Sequence, residues 1–161
     1  MSLVIHRARP DQVPQVFSLI RELAAYEKLS HEVEATEAMI ADALFSGSPR
    51  LYCEIAEWNG EVAGFAVWFL NCSTFAGRFG IYLEDLFVRP AFRGNGIGKA
   101  LLAHLAKTCV DNGWARLQWS VLDWNAPSIA FYKSLGAVMM DEWTLFRVTG
   151  AALDALAGKA P

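Results

Sequence analysis

The sequence predicts an α/β (α+β) fold built on one mixed, mostly antiparallel sheet with helices against both faces. The first observation is the order of hydrophobic patterns, which is strand, two helices, three strands, helix, strand, helix and strand. The second is a strand–helix–strand unit, in which residues 81–88 and 115–121 flank a long helix and should be parallel neighbours. The length of 161 residues and the 54% hydrophobic content fit a single domain over residues 1–161.

The chain opens with one short strand and two helices. Residues Leu3–Arg7 are strand-like, and apolar residues recur at helical spacing after Asp11, which predicts an amphipathic helix. The recurring apolar residues are Val13, Val16, Phe17, Ile20, Leu23 and Ala24. A second helix over residues 36–45 should stop near Gly47 and Pro49, because glycine and proline terminate helices.

A run of three strands comes next. Residues 51–58 and 62–70 are strand-like, and Asn59 and Gly60 between them are a strong hairpin signal because both accept positive φ. Residues 81–88 form the third strand, which an Arg-Pro pair ends. These three strands should pair antiparallel along the chain.

The clearest helix of the sequence lies in the second half. Its apolar residues repeat every fourth position at Ile97, Leu101, Leu105 and Cys109. Asn112 and Gly113 suit its end. Polar and apolar residues alternate over 115–121, as in a half-buried strand. A short helix after Pro127, a strand near 143–148 and a small C-terminal helix complete the prediction.

Charge and hydropathy exclude several classes of partner. The net charge is −3 and the pI is about 5.6, and no run of Lys or Arg would grip nucleic acid or an anionic membrane surface. No apolar run approaches the roughly 18 residues of a membrane span, and the N-terminal residues lack the apolar core of a signal peptide. We therefore expect a cytoplasmic protein with no nucleic-acid or membrane partner.

Cysteine and histidine spacing predicts no metal site. The three cysteines are widely separated, have no CxxC or Cys/His spacing, and are expected to be small buried apolar residues in a reducing compartment. They are Cys53, Cys72 and Cys109. The three histidines have no partner spacing and are expected to be structural or exposed. They are His6, His31 and His104.

A glycine-rich loop precedes the long helix and predicts an anion site. The loop reads Arg93, Gly94, Asn95, Gly96, Ile97, Gly98 and Lys99. Its alternating glycines permit a sharp turn and a close approach of backbone N–H groups to a ligand. Those groups, together with the positive end of the helix dipole, suit a pyrophosphate, and the two basic side chains could add charge at the rim.

Two better-known phosphate loops do not match this segment. A dinucleotide fingerprint starting at Gly94 would need a third glycine where Lys99 stands. A nucleotide-hydrolase P-loop would need a glycine where Arg93 stands, and Ser or Thr where Ala100 follows. The alternative to a ligand site is a glycine-rich helix cap.

Five segments in order resemble the GNAT superfamily of N-acetyltransferases and, within it, the diamine (spermidine/spermine) and thialysine N-acetyltransferases. The segments are residues 23–28, 82–88, 93–98, 124–133 and 143–148. The resemblance implies two parallel strands that splay apart, with the pantetheine arm of acetyl-CoA between them. The arm would pair with the backbone of Leu86, Phe87 and Val88. The resemblance also implies a homodimer.

Acetyl transfer to an amine needs a proton acceptor at the amine, whose pKa is near 10.4, and a donor at the leaving sulfur. Glu84 interrupts an apolar strand, and the resemblance makes it the carboxylate that holds the amine and takes its proton. The alternative is a carboxylate paired with a basic residue elsewhere in the sheet. Asp85 points to the opposite face if the strand is regular, and is a candidate for substrate binding.

Tyr132 is the candidate donor to the sulfur. Asn125, Ser128 and Tyr132 are spaced by three and four residues and so share one helix face. The resemblance turns this face toward coenzyme A, with the first two residues as polar contacts. The alternative is a tyrosine packed in the core.

Three further residues match positions around the amine in this subfamily. They are Tyr26, Glu27 and Trp143, and the alternatives are simple packing or exposure to solvent. The resulting hypothesis is transfer of acetyl from acetyl-CoA, by direct attack, to a polyamine, a diamine or a thialysine-like amine. Other possibilities are a lysine-like metabolite, an aminoglycoside or a protein amine as acceptor, or a non-catalytic acyl-CoA-binding module.

Overall fold

The computed structural model describes residues 1–161, whose contacts divide them into two compact units, Met1–Leu122 and Asp123–Pro161. The N-terminal unit holds a five-stranded sheet in the order β1-β2-β3-β4-β5. Its elements are β1 (Leu3–Arg7), α1 (Val13–Tyr26), α2 (Glu37–Phe45), β2 (Tyr52–Trp58), β3 (Glu61–Ser73), β4 (Arg78–Val88), α3 (Ile97–Asp111) and β5 (Leu117–Trp119). Short 3-10 turns lie at Pro10–Gln12, Ser30–Glu32 and Pro90–Phe92.

Strand directions confirm the predicted fold class. The first three neighbouring pairs are antiparallel, and only β4 and β5 are parallel. This is the predicted strand–helix–strand unit, with α3 as the connection. Strand β5 is shorter than the predicted 115–121. It pairs with Ile81–Leu83 only, so β4 and β5 separate beyond Leu83.

Local sequence signals explain where the elements begin and end. Asn59 and Gly60 have φ of 51° and 84°, as the predicted hairpin between β2 and β3 requires. Thr36 caps α2, because its side chain accepts a hydrogen bond from the Met39 N–H at 3.2 Å. Gly113 has a φ of 66° just after α3.

Helices cover both faces of the sheet. Cys53 lies in a buried cluster with Leu19 of α1. Its neighbour Glu54 points to the other face, where His104 of α3 lies 3.7 Å from its carboxylate. The apolar stripe of α3 is buried at Leu101 and at the other predicted positions. The predicted amphipathic helices therefore enclose the sheet from either side.

Gly64 lets β3 and β4 approach each other closely near the end of β4. A Cβ at this position would lie 2.5 Å from the Phe87 carbonyl oxygen and 3.1 Å from the Val88 Cα. Both contacts are with backbone atoms, so a larger residue would force the two strands apart. The glycine therefore fixes the position of the β4 end, where the candidate site lies.

Two of the three cysteines follow the prediction. Cys53 and Cys109 are buried, but Cys72 is exposed, so the prediction of a buried residue is wrong there. Cys72 lies on the part of β3 that runs beyond its last pairing with β2, at Trp68. No β2 residue stands beside it, because β2 is six residues shorter than the strand it pairs with.

The histidines each lie beside one carboxylate. His6 is 3.1 Å from Glu57, and the exposed His31 is 3.3 Å from Glu32. No group of three or more His, Cys, Asp or Glu side chains is arranged to hold a metal ion. The longest helices are also too short or too polar to cross a lipid bilayer.

The C-terminal unit contains α4 (Ala126–Ser134) and α5 (Gly150–Ala157). Both predicted helices are confirmed, but the predicted strand at 143–148 is wrong, because this segment forms neither strand nor helix. A strand needs a neighbour to bond its backbone, and this unit contains no other strand. The segment does contain the apolar residues on which the strand prediction rested, but they are exposed. Trp143, Leu145 and Phe146 are 77%, 80% and 88% exposed.

Candidate active site

A β-bulge in β4 sets the directions of the two acidic residues that were predicted for the site. Asp85 stands opposite Val67 of β3, and Leu83 stands opposite Trp68, which leaves Glu84 as the extra residue. Because neighbouring residues of β3 point to opposite faces, Leu83 and Asp85 also face opposite sides of the sheet. The strand is therefore not regular here, and the simple alternation expected for residues 84 and 85 does not hold.

Asp85 lies on the α1 face, in a row with Val67 and the buried Cys53. Burial, together with the negative charges of Glu84 and Glu27, raises the pKa of its carboxyl group to about 7. Burial also raises the pKa of Glu27. Glu84 and Glu27 therefore both lie close enough to Asp85 for their charges to act on it.

Glu84 is exposed and takes part in none of the salt bridges of the chain. The alternative of a carboxylate paired within the sheet is therefore not what the structure shows. The bulge turns this side chain outward, although β4 is a central strand. Its negative charge acts on Asp85 next to it.

Tyr26 is the last residue of α1 and lies beside the end of β4. Its ring centroid is 6.4 Å from that of Phe87, at a tilt of 50°. Lys28 follows with a φ of 61°, a left-handed conformation that ends the helix direction. The structure thus places Tyr26 beside Phe87, and Glu27 close enough to Asp85 to raise its pKa.

The end of β4 has a free edge on the side of β5. The two parallel strands pair only as far as Leu83 and Trp119, so Glu84–Val88 continue without a neighbouring strand on that side, although the Val88 carbonyl accepts a hydrogen bond from Arg93. Such an edge offers backbone N–H and C=O groups to an extended ligand. The predicted cofactor residues Leu86, Phe87 and Val88 lie on this stretch.

The predicted phosphate loop contains two left-handed glycines with open space beside them. Gly94 and Gly96 have φ of 83° and 74°, which favour glycine, and nothing lies within 4 Å of where a Cβ would stand. The N–H groups of residues 94–99 donate to no backbone carbonyl outside α3. Asn95 shapes the turn, because its side chain donates to the Phe92 carbonyl at 2.9 Å. Lys99 is exposed in the first turn of α3.

Arg93 points back to the sheet. Its Nε donates to the Val88 carbonyl at 2.9 Å. Its guanidinium carbon lies 5.1 Å from the centre of the Tyr26 ring and 5.6 Å from that of Phe87. The sequence suggested only a rim charge here, and no signal in the loop pointed to α1.

The sequence also missed Arg89, which was seen only as the end of a strand. Its guanidinium contacts the Glu22 carboxylate at 2.9 and 3.0 Å and donates to the Val62 carbonyl at 2.8 Å. This pairing lowers the pKa of Glu22. Arg89 thereby ties the end of β4 to α1 and β3.

In the C-terminal unit, α4 carries the other predicted residues. Asn125 is buried at its N-terminus, and its side chain accepts a hydrogen bond from the Ser128 N–H at 3.3 Å. Tyr132 is half-buried, with its ring 5.5 Å from that of Phe131. Trp143 lies in the segment that forms no strand.

Comparison with protein families identifies this arrangement. The model of the acetyltransferase (GNAT) family matches residues 14–137, which is most of the chain. The chain belongs to this family. The GNAT match spans nearly all of α1, strands β2 to β5, the glycine loop and α4.

Individual relatives agree with the GNAT assignment over nearly the full length. The chain is 38% identical to a thialysine N-epsilon-acetyltransferase of Bos taurus, over 98% of both chains. It is 32% identical to an L-ornithine N5-acetyltransferase of Arabidopsis thaliana, over 94% of this chain and 86% of that one. An integron cassette protein from the mobile metagenome of V. cholerae has a similar structure, with a TM-score of 0.82, 30% identity and 99% coverage of both chains. This GNAT protein is an N-acetyltransferase that acts on amines.

Proposed function

We propose that this enzyme transfers acetyl from acetyl-CoA to a primary amine of a small molecule that carries a further charged group, such as a diamine, a polyamine or a thialysine-like amino acid. The observation that carries the proposal is the close set of Glu27, Glu84 and Asp85 beside the free edge of β4. Carboxylates at this density suit a ligand with positive charge. The names of the thialysine and ornithine relatives support a small acceptor of this kind.

The site for acetyl-CoA would combine two backbone surfaces. The open N–H groups of residues 94–99 would hold the pyrophosphate, and the free edge at Leu86, Phe87 and Val88 would pair with the pantetheine arm. An N–H of this edge would also polarise the thioester carbonyl. Asn125 and Ser128 would add polar contacts to coenzyme A.

Glu84 would hold the ammonium group and take one proton from it, directly or through water. The freed nitrogen lone pair would attack the thioester carbonyl carbon, forming the C–N bond of the amide, and the C–S bond would break. The nitrogen would lose its second proton to water as the amide forms. Tyr132 would donate a proton to the departing sulfur and regain one from water. The exposure of Glu84 and its lack of a basic partner support the first of these roles.

Glu27 and Asp85 would bind rather than react. A second positive charge of the acceptor would favour the ionised form of Asp85, whose pKa of about 7 leaves it partly protonated at neutral pH. Tyr26 would border the same pocket, with Trp143 as a further predicted wall.

Mass spectrometry of products from acetyl-CoA and a mixed pool of amines tests the proposal. The pool should contain diamines, polyamines, thialysine, ornithine, an aminoglycoside and a lysine-containing peptide. We expect acetylated diamines or amino acids with a side-chain amine. Acetylation of the aminoglycoside or the peptide alone would contradict the proposed acceptor.

Two variants test the catalytic roles in the same assay. Glu84→Gln and Tyr132→Phe should each lower kcat by about a hundredfold, because general acid and base groups contribute factors of this order. The matched controls are Glu61→Gln, at the exposed start of β3, and Tyr52→Phe in β2, both outside the candidate site. If both site variants keep full turnover, the assignment is wrong.

We also propose that the enzyme is a homodimer in the cytoplasm. Exposed apolar side chains of the C-terminal unit support an interface, since isolated proteins seldom expose so many together. They include Val138, Met140, Trp143, Leu145 and Phe146.

A further inference from the structure

We propose that Arg93 is a positioning residue for the amine, and that it acts by holding Tyr26 against the end of β4. The inference rests on the proposed function, in which Tyr26 borders the amine pocket. It assigns the side chain of the phosphate-loop arginine to the acceptor side of the reaction. If the Arg93 side chain bound a phosphate of acetyl-CoA instead, its removal would weaken the binding of acetyl-CoA and leave the binding of the amine unchanged.

The contacts of Arg93 place its side chain between the end of β4 and the ring of Tyr26. Nε carries a single hydrogen, and that hydrogen goes to the Val88 carbonyl at 2.9 Å. The flat guanidinium then lies near two rings, 5.1 Å from the centre of Tyr26 and 5.6 Å from that of Phe87. Arginine stacks well on aromatic rings because its charge is planar and weakly hydrated. One side chain therefore joins the loop, β4 and α1.

Tyr26 lies at a helix end. It is 38% exposed and is the last residue of α1, where a helix is least constrained by its own hydrogen bonds. Lys28 then reverses the chain with a positive φ. A ring at such a terminus takes its position from tertiary contacts, which include the ring of Phe87 and the guanidinium of Arg93.

A second arginine makes the same connection one helical turn earlier. Arg89 binds Glu22 of α1, four residues before Tyr26, and so on the same face of the helix. Arg89 and Arg93 are themselves four residues apart, on either side of the 3-10 turn Pro90–Phe92. The two pairs fix the register of α1 against the end of β4, and the Arg93 pair is the one that reaches the amine pocket.

Arg93 acts here through geometry. Burial and the charges of Glu84 and Glu27 account for the raised pKa of Asp85, and Arg93 is not among its causes. Removal of the Arg93 charge should therefore leave the titration of the carboxylates unchanged. A loss of the stacked guanidinium should instead loosen Tyr26 and weaken the binding of the amine.

The test is a double-mutant cycle between Arg93→Gln and Tyr26→Leu, read by KM for the amine, kcat and the affinity for coenzyme A in calorimetry. We expect each single variant to raise KM for the amine about fivefold, from the size of a cation–π contact plus the ordering of the ring. The double variant should be little worse than either single one, because they remove the same contact. The pH profile of kcat/KM should keep its shape in Arg93→Gln.

Further variants separate this role from general damage to the fold. Arg93→Lys keeps the charge but not the flat stacking surface, and should raise the amine KM by about twofold to fivefold. Arg21→Gln is the matched control, because Arg21 is an exposed arginine of α1 whose guanidinium lies 6.0 Å from the ring of Phe17. It should leave both constants unchanged. If Arg93→Gln does not fold, the cycle is run with Arg93→Lys.

Three results would overturn the inference. The first is an Arg93→Gln enzyme that loses affinity for coenzyme A while its amine KM stays that of the wild type. The second is a double variant whose loss is the product of the two single losses. The third is an Arg21→Gln enzyme with the same rise in amine KM. A wild-type protein that binds no coenzyme A would instead contradict the proposed function.

Discussion

At the scale of single residues, Asp85 is the clearest indication that the candidate site binds a ligand. Asp85 lies in a row with Val67 and Cys53, where an apolar side chain would be expected. The charges that act on it come from two acidic residues and not from a basic one. A buried carboxylate beside like charges lowers the stability of the folded protein, and such groups are typical of sites where they bind a ligand. The charge that would relieve this loss of stability comes, in our proposal, with the amine.

The first residue-scale prediction concerns stability. Folding raises the pKa of Asp85 from its ordinary value of 3.8 to about 7, so between these values the folded chain binds more protons than the unfolded chain. Stability therefore falls as pH rises through this range, and the full cost is present above pH 7. Asp85→Asn should be more stable than the wild type by about 1–4 kcal/mol at pH 8. Urea denaturation at pH 8 and pH 4 measures this.

At pH 4 the advantage of Asp85→Asn should disappear, because the wild-type carboxyl is then protonated in the folded state. Glu61→Gln, at the exposed start of β3, serves as the control for loss of one negative charge. An Asp85→Asn advantage that is equal at both pH values would contradict the raised pKa.

The second residue-scale prediction concerns activity. The ionised form of Asp85 should be needed to hold the cationic acceptor, so log kcat/KM for the amine should rise more steeply with pH below about 7 than above it. Asp85→Asn should remove this change of slope and lower kcat/KM at pH 8. Steady-state kinetics from pH 5.5 to 9 checks both effects. An unchanged profile in the variant would assign the break to another group.

At the scale of elements, the turn from β4 to α3 combines two requirements. The glycines of the loop must adopt left-handed φ so that N–H groups face outward, and the arginines beside it must hold the strand end to α1. Gly64 on β3 and the bulge at Glu84 complete the arrangement from the side of the sheet. The geometry of the candidate site therefore depends on how β3, β4, the loop and α1 pack against one another.

The element-scale prediction concerns the loop glycines. Alanine at Gly94 or Gly96 has open space but a strained φ, which costs about 1–2 kcal/mol. Each variant should lower the stability by this amount and weaken the binding of coenzyme A about tenfold, as the N–H groups turn away. Gly47→Ala is the control, with equal space and no positive φ. Calorimetry with coenzyme A that shows unchanged affinity in both loop variants would contradict the anion site.

At the scale of the whole molecule, the C-terminal unit is the unusual part. Its apolar side chains from Val138 onward remain largely exposed, although the sequence pattern suits a strand. A surface of this kind is typical of an interface. The oligomeric state of the protein is therefore the first property to measure, before its kinetics.

The whole-molecule prediction is a homodimer at micromolar concentration in light scattering coupled to size exclusion. Leu145→Asp combined with Phe146→Asp should give a monomer, because buried charges oppose an apolar interface. Phe75→Asp, in the exposed turn between β3 and β4, should leave the dimer intact. A wild-type monomer would contradict the homodimer, with no consequence for the acetyl-transfer proposal.

The sequence alone was sufficient for the element order as far as α4, the parallel pair around α3 and the glycine-rich turn before α3, because these follow from periodicity and from glycine backbone chemistry, both local in the chain. Its resemblance to the GNAT family was also confirmed. Only the tertiary structure decided the bulge at Glu84, the residue at which the parallel strands separate, the contact of Arg93 with Tyr26 and the missing strand at 143–148. Each of these depends on which distant segment supplies a hydrogen-bonding or packing partner, and that information is absent from any single window of sequence.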